Sequence, residues 1–218
     1  MIRVQGASVF APSPDGRGSV TILDDATCTL AARRTAVVGE NGSGKSTLAR
    51  VIGGLIKSEG SVDAPERIGF LFSNPGAQPV MPTVQEDVAL SFRGRGLSRA
   101  EIRERTASAL QEHRLTDLAE HSCHSLSSGQ QQRLALCAIL AGEPELVIAD
   151  EPTSFLDGRH RRIVRDRLFA DNAPDLLLVT HDLELASRCD EAILVEAGRI
   201  TMQGPADAVV ATYEKSLE

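Results

Sequence analysis

The 218-residue sequence predicts an α/β fold with a mainly parallel sheet. Three observations predict it. Residues 35–38, 146–149 and 176–179 are short apolar runs, the pattern of strands buried on both faces. Helix-compatible stretches separate these runs, as parallel strands require. The first run enters a glycine-rich loop, and a helix follows at about 45–55.

The remaining elements follow in order. Residues 1–30 read as short strands and turns, with a loop at 11–18 marked by Pro12, Pro14, Asp15, Gly16 and Gly18. Residues 68–72 form a further strand. Helices are expected at 83–92 and 98–110, the second opened by a Ser98/Glu101 capping box. Another helix covers 129–141. The mainly helical middle, 74–125, reads as a subdomain inserted between core strands. With the following helix the insertion runs over about 74–142 of a single domain, 1–218. The sequence contains no repeat and no low-complexity linker.

Composition limits the function. With 42% hydrophobic and 24% charged residues, the chain reads as soluble and globular. A net charge of −7 argues against a nucleic-acid partner, although a local basic patch can sit within an acidic total. Cys28, Cys123, Cys137 and Cys189 are dispersed, with no C-x-x-C pair, which fits a reducing compartment. Residues 1–10 alternate polar and apolar, unlike a signal peptide, and no run is long enough to span a bilayer. Any membrane role is therefore expected from the cytoplasmic face, through a partner.

Gly39-Glu40-Asn41-Gly42-Ser43-Gly44-Lys45-Ser46, followed by Thr47, fits the phosphate-binding pattern G-x-x-x-x-G-K-[ST]. Glycines let backbone N–H groups turn toward phosphate oxygens, and the next helix offers its positive end. Lys45 can reach the β- and γ-phosphates, and the Ser46 hydroxyl can ligate Mg2+. The apolar run 146–149 ends in Asp150 and Glu151. Asp150 is placed to hold Mg2+, directly or through water, and Glu151 to activate an attacking water.

Leu126-Ser127-Ser128-Gly129-Gln130 resembles the LSGGQ signature of ABC ATPases, with Ser128 in place of the first glycine. The sequence also carries Asp150-Glu151-Pro152-Thr153, Ser154-Phe155-Leu156-Asp157 and Val179-Thr180-His181-Asp182 in the order of that family. The resemblance implies a P-loop NTPase core, an N-terminal antiparallel β part and an inserted helical signature subdomain. It also implies ATP and Mg2+ as ligands. Two such domains would close head to tail over two ATPs. Ser127 and Gly129, with Gln130 beside them, would meet the γ-phosphate bound by the partner. Glu151 would be the catalytic base, His181 the switch histidine and Asp157 the aspartate linking the two sites. Turnover would then require dimer closure, and closure would move a membrane partner.

Three positions depart from the family pattern. The aromatic residue that stacks on adenine aligns with Ala11, so that either Phe10 substitutes for it or adenine is held weakly, with Phe10 then lying in the core. Ser73 stands where the Q-loop glutamine is expected, and offers a shorter reach toward Mg2+; Gln78 is too far along to replace it. This substitution is expected to loosen coupling to the membrane partner. Ser128 is expected to cost little. His121-Ser122-Cys123-His124 is too cramped for a metal site, and Arg159-His160-Arg161-Arg162, with Arg165 and Arg167, reads as a solvated helix face.

Phe72-Ser73-Asn74-Pro75-Gly76-Ala77-Gln78 and Pro82-Thr83-Val84-Gln85-Glu86-Asp87-Val88-Ala89 resemble the corresponding segments of energy-coupling factor transporter ATPases. That resemblance implies uptake of a vitamin or of cobalt or nickel ions. The partners would be a transmembrane coupling protein and a small substrate-binding membrane protein. The short chain is most like the compact biotin systems, and a homodimer is permitted. The competing expectations are a conventional ABC importer, a translation or DNA-repair ATPase, and a non-hydrolysing binder. One ATPase domain, the absence of sustained heptads, and the set Lys45, Asp150, Glu151 and His181 argue against the last two.

Overall fold

Alternation of apolar and polar residues builds the first two strands, and three local shifts of register keep them paired. A computed structural model describes residues 1–13, 18–154 and 156–217. The strands are β1 (Ile2–Pro12), β2 (Ser19–Leu30), β3 (Arg34–Val38), β4 (Glu59–Asp63), β5 (Ile68–Leu71), β6 (Leu146–Asp150), β7 (Asp175–Val179), β8 (Glu191–Glu196) and β9 (Arg199–Pro205). The α-helices are α1 (Lys45–Ile52), α2 (Val84–Leu90), α3 (Arg99–Glu112), α4 (Ser128–Ala141), α5 (Gly158–Leu168), α6 (Leu183–Ala186) and α7 (Ala206–Ser216). The chain divides into two compact units: Met1–Ile68, Ile148–Glu151 and Asp175–Glu218, then Gly69–Val147 and Pro152–Pro174.

In the first unit, β1 pairs antiparallel with both β2 and β4. The register shifts near Gly6 and Asp25, whose φ values are 62° and 51°, and again between Val9 and Phe10. The Thr27 hydroxyl accepts from Gly6 N at 3.0 Å, and the Ser8 hydroxyl accepts from Asp25 N at 3.0 Å. Side chains thus satisfy amides at the irregular positions, where the extra residue of a bulge leaves the ladder. The result is two long strands rather than the short strands and turns expected over 1–30. Ala11 and Pro12, expected in the loop, complete β1. Pro14, Asp15 and Gly16 lie outside the described residues, as does Phe155.

β3 runs parallel to β7 and β8, and β9 closes antiparallel on β8. Ala36, Val37, Val38, Leu177, Leu178, Ala192 and Ile193 are all fully buried, as strands covered on both faces must be. α1 stops at Ile52, three residues before the expected end, because Gly53 and Gly54 follow. Gly54 adopts φ 67°, and Leu55 N donates to Arg50 O.

The second unit packs Val84, Val88, Phe92, Leu110, Leu115, Cys123, Leu126, Leu134 and Cys137 into one cluster. Burial in it pushes the Cys123 thiol up to about 11 and the Cys137 thiol to about 12. Three helices open with reciprocal caps: Thr83 with Glu86, Ser98 with Glu101, and Ser127 with Gln130. The buried Asp87 ties down the segment before α2, its Oδ1 accepting from Val80 N at 2.7 Å and Met81 N at 3.0 Å. The stretch 82–89 therefore has a folding role: Thr83 caps, Val84 and Val88 fill the core, and Asp87 holds the preceding loop.

Removing that carboxylate strands two amides. Asp87→Ala is expected to cost about 2–4 kcal/mol and lower the Tm by about 5–15 °C in a thermal melt. Asp87→Asn, which retains Oδ1 as an acceptor, should recover more than half of the loss.

Candidate nucleotide site

The phosphate loop starts where β3 ends and closes on neighbouring backbone too tightly for side chains. Gly39 has φ 141°, and a Cβ there would stand 2.1 Å from Val195 O. Gly44, at φ 104°, would place a Cβ 2.9 Å from Ile22 O. Ser43 N donates to Glu40 O, and Gly198 N donates to Ser43 O. α1 begins immediately after Gly44. Asn41 and Gly42 are exposed, while Ser46 and Thr47 are half-buried on its first turn.

Lys45 is 6% exposed, and its Nζ donates to Gly39 O at 2.8 Å and Glu40 O at 2.6 Å. Burial pulls the ammonium below its usual pKa, and the charges of Glu151, Asp150 and Glu40 oppose that shift. Ser46 Oγ donates to Asp150 Oδ1 at 2.8 Å. Burial raises the Asp150 pKa, against the Ser46 hydrogen bond and the positive charges of Arg50 and Lys45, with Glu151 adding to the rise. The buried Ser43 Oγ has no hydrogen-bond partner among the described residues. Such an orphan beside turned-in amides fits an oxyanion ligand. Ser46 and Asp150 supply two hard oxygens, a set that suits Mg2+ completed by water and phosphate.

Glu151 leaves β6 with φ 52°, a strained conformation for a non-glycine residue. Its N–H donates to Val179 O at 2.9 Å, which ties it to the end of β7. Two residues beyond Val179, His181 Nδ1 lies 2.8 Å from Glu151 Oε2. The His181 side chain is 67% exposed. Its neighbours fix the turn: buried Thr180 accepts from Asp182 N, and Asp182 Oδ1 accepts from Leu185 N to cap α6. The arrangement presents a carboxylate and an imidazole together at an open edge, suited to orienting a water.

The signature residues belong to the second unit. Ser127 Oγ accepts from Gln130 N at 3.4 Å, and Gln130 Oε1 accepts from Ser127 N at 2.8 Å, so both side chains are used in opening α4. Ser128 is exposed. Gly129 is buried against His160, where a Cβ would fall 2.5 Å from the imidazole Cγ. Asp157 pins that ring: Oδ1 accepts from His160 N at 2.9 Å, and Oδ2 lies 2.8 Å from Nδ1. His160, which reads in the sequence as part of a solvated face, is therefore a packing partner of the signature glycine. Nothing local in the sequence signals this.

Ser73 is half-buried just beyond β5. The Gln78 side chain is folded back onto that strand, accepting from Phe72 N at 3.2 Å and donating to Phe70 O at 2.9 Å. Phe10 is 51% exposed on β1, which removes the option that it lies in the core. Sequence reasoning also missed Arg50, whose charge acts on Asp150.

The ABC transporter family profile matches residues 23–154. The chain belongs to the ABC transporter ATPase family. It is 36% identical over 210 residues to the biotin transport ATP-binding protein BioM of Rhizobium etli, covering 91% of this chain and 93% of that protein. It is 36% identical over 191 residues to the energy-coupling factor transporter ATP-binding protein EcfA1 of Geobacillus kaustophilus, covering 80% and 68%. Among solved structures, the ATP-binding cassette MJ0796, a dimer in a post-hydrolysis state with ADP and phosphate, superposes with a TM-score of 0.82. It has 27% sequence identity over 94% of this chain and 99% of that one. This ABC ATPase is thus an ATP-binding, ATP-hydrolysing subunit of an ABC transporter. Among the described residues no helix is long and apolar enough to cross a membrane.

The Gly129–His160 contact is testable without nucleotide. Gly129→Ala is expected to cost about 1–3 kcal/mol through overpacking. In a His160→Ala background the same change should be neutral or stabilising, since alanine is the better helix former. Thermal melts of the four proteins in this cycle check it.

Proposed function

We propose that this ABC ATPase powers an importer of the energy-coupling factor type, taking up a vitamin or a transition-metal ion, with biotin the first candidate. The observation that carries this reading is the nearly end-to-end similarity to a biotin transport ATP-binding protein. The similarity to an energy-coupling factor transporter ATPase supports the type. The membrane partners would be a transmembrane coupling protein and a small substrate-binding protein, engaged at the cytoplasmic face of the membrane.

ATP would lie on the phosphate loop, with backbone N–H groups from Gly39 through Thr47 around its phosphates and Ser43 Oγ gaining the partner it lacks. Lys45 would exchange its bonds to Gly39 O and Glu40 O for phosphate oxygens, a small movement of an ammonium already held at the site. Mg2+, when bound, supplies charge neutralisation for phosphoryl transfer. Ser46 and Asp150 would hold it, with Ser73 directed toward it or its water. Phe10 would offer its exposed ring to adenine.

Glu151 would accept a proton from the attacking water, and His181 would orient that carboxylate and meet the γ-phosphate. The 2.8 Å contact between them supports the pairing. Ser127, Gly129 and Gln130 open α4, whose N-terminal amides suit an anion. In a homodimer these would face the γ-phosphate held by the other copy, so neither copy alone would complete a site. Asp157, beside the signature glycine through His160, would link the two sites.

Two experiments test this. Glu151→Gln is expected to lower ATPase turnover roughly 10²–10⁴-fold while retaining nucleotide, so that a dimer accumulates with ATP in size-exclusion chromatography. Unchanged turnover would remove Glu151 from its assigned role. Affinity purification of the tagged chain from gently solubilised native membranes should recover a helical coupling protein and a small membrane protein, with no second ATPase. Recovery of two conventional permeases would overturn the importer type and leave the ATPase chemistry intact.

A further inference from the structure

We propose that the second unit carries an anion site for a phosphate-bearing ligand, in a cavity of about 740 Å3 walled by Arg114, Arg159, Arg162 and Arg167. The site lies outside the nucleotide machinery. α5 supplies Arg159, Arg162 and Arg167, and Arg114 follows the end of α3.

The charges in this wall do not balance. The chain as a whole carries −7, yet the cavity gathers four guanidinium groups and His113. Its acidic members are already engaged: Glu112 Oε1 meets Arg167 at 2.5 Å, and Asp166 Oδ1 meets Arg165 at 2.8 Å. Arg167 also reaches Glu112 O. Among the described residues, the side chains of Arg114, Arg159 and Arg162 have no hydrogen-bond or ion-pair partner.

A fifth guanidinium adds to the same field. Arg133 lies on α4, and its buried Nε has no hydrogen-bond partner among the described residues. Burial and then the charges of Arg159 and Arg114 hold its pKa below the usual value. His113 is buried, and its pKa falls to about 4, first from burial and then from Arg167, with Arg133 adding to the fall and Glu112 opposing it. His113 is thus neutral near pH 7 and leaves the positive field to the arginines.

Guanidinium forks match the geometry of phosphate oxygens and bind them bidentately. Three uncompensated forks call for more than one negative charge. A cavity of this volume is in the range that encloses a small molecule. The ligand class is therefore a compound carrying two phosphate groups, either a free diphosphate metabolite or a phospholipid whose headgroup holds two phosphates. Arg133 lies one helical turn beyond Gly129, and Arg159 follows closely after Asp157. An occupant would bridge the end of α3 and α5, the helix that carries His160.

Pyrophosphate binding to full-length protein tests the site. The Lys45→Ala variant is used throughout to weaken binding at the phosphate loop. By isothermal titration calorimetry this variant should retain a pyrophosphate site. Adding Arg159→Ala and Arg162→Ala should weaken that site at least tenfold, whereas adding Arg103→Ala, at an exposed position of α3 that does not line the cavity, should change it less than twofold. In parallel, co-sedimentation compares cardiolipin-containing vesicles with pure phosphatidylcholine vesicles. Arginine-dependent binding of pyrophosphate alone assigns the site to a free phosphate compound, and arginine-dependent binding of cardiolipin-containing vesicles assigns it to a lipid headgroup. If neither probe binds, or if the Arg159/Arg162 variant binds as tightly as its parent, the proposal is overturned. Circular dichroism of each variant reports whether it is folded.

Discussion

A buried ammonium governs the first unit. Lys45 is almost removed from solvent, and an isolated charge in that position would be severely penalised. The fold answers with two carbonyl oxygens at hydrogen-bond distance and with carboxylates on several sides. Those carboxylates carry the reciprocal problem, because Asp150 is as deeply buried and is held by Ser46 and by the charges of Arg50 and Lys45. The loop, the start of α1 and the end of β6 are therefore one electrostatic unit. Displacing any of the three would weaken the contacts that offset these buried charges.

The same economy explains the strain at Glu151. A left-handed backbone at a non-glycine residue costs free energy and persists only where its surroundings impose it. Here the imposing contact is the bond from Glu151 N to Val179 O. It stops β6 against the end of β7 and leaves the Glu151 carboxylate facing the turn that presents His181. Thr180 and Asp182 then hold that turn through their own side chains. The acid and the imidazole meet because two strand ends are tied by one backbone bond.

Much of this was legible in the sequence, and the reasons differ by element. β3, β6 and β7 announce themselves as apolar runs because both faces are covered. β8, with Ala192-Ile193-Leu194-Val195, carries the same apolar signal, although it stands outside the strands expected from the sequence. β4 carries almost none: Glu59-Gly60-Ser61-Val62-Asp63 has one apolar side chain and becomes a strand only by pairing with β1, a long-range event. The length of β1 and β2 was hidden because the irregularities near Gly6 and Asp25 look like turns until Thr27 and Ser8 are seen to satisfy them. In the candidate site, residue types and order pointed to Lys45, Ser46, Asp150, Glu151 and His181. The 2.8 Å contact between Glu151 and His181 depends on tertiary geometry that spacing cannot express. The seat of Gly129 on His160 was invisible for the same reason.

Several letters that mark this family are also instructions for folding. Ser127 and Gln130 close a capping box, so any role toward a phosphate must coexist with their role in starting α4. Thr83, Val84, Asp87 and Val88 cap, pack and brace the segment that most suggests a particular transporter type. Such residues would be retained by any relative that builds this helix in this way, whatever it transports. They are weak evidence for a substrate and strong evidence for a shared local structure. The residues whose arrangement folding alone does not require are better guides to chemistry. The orphaned Ser43 hydroxyl, the strained Glu151, the exposed Phe10 ring and the uncompensated arginines of α5 each carry a cost or an opportunity that the isolated chain leaves unused.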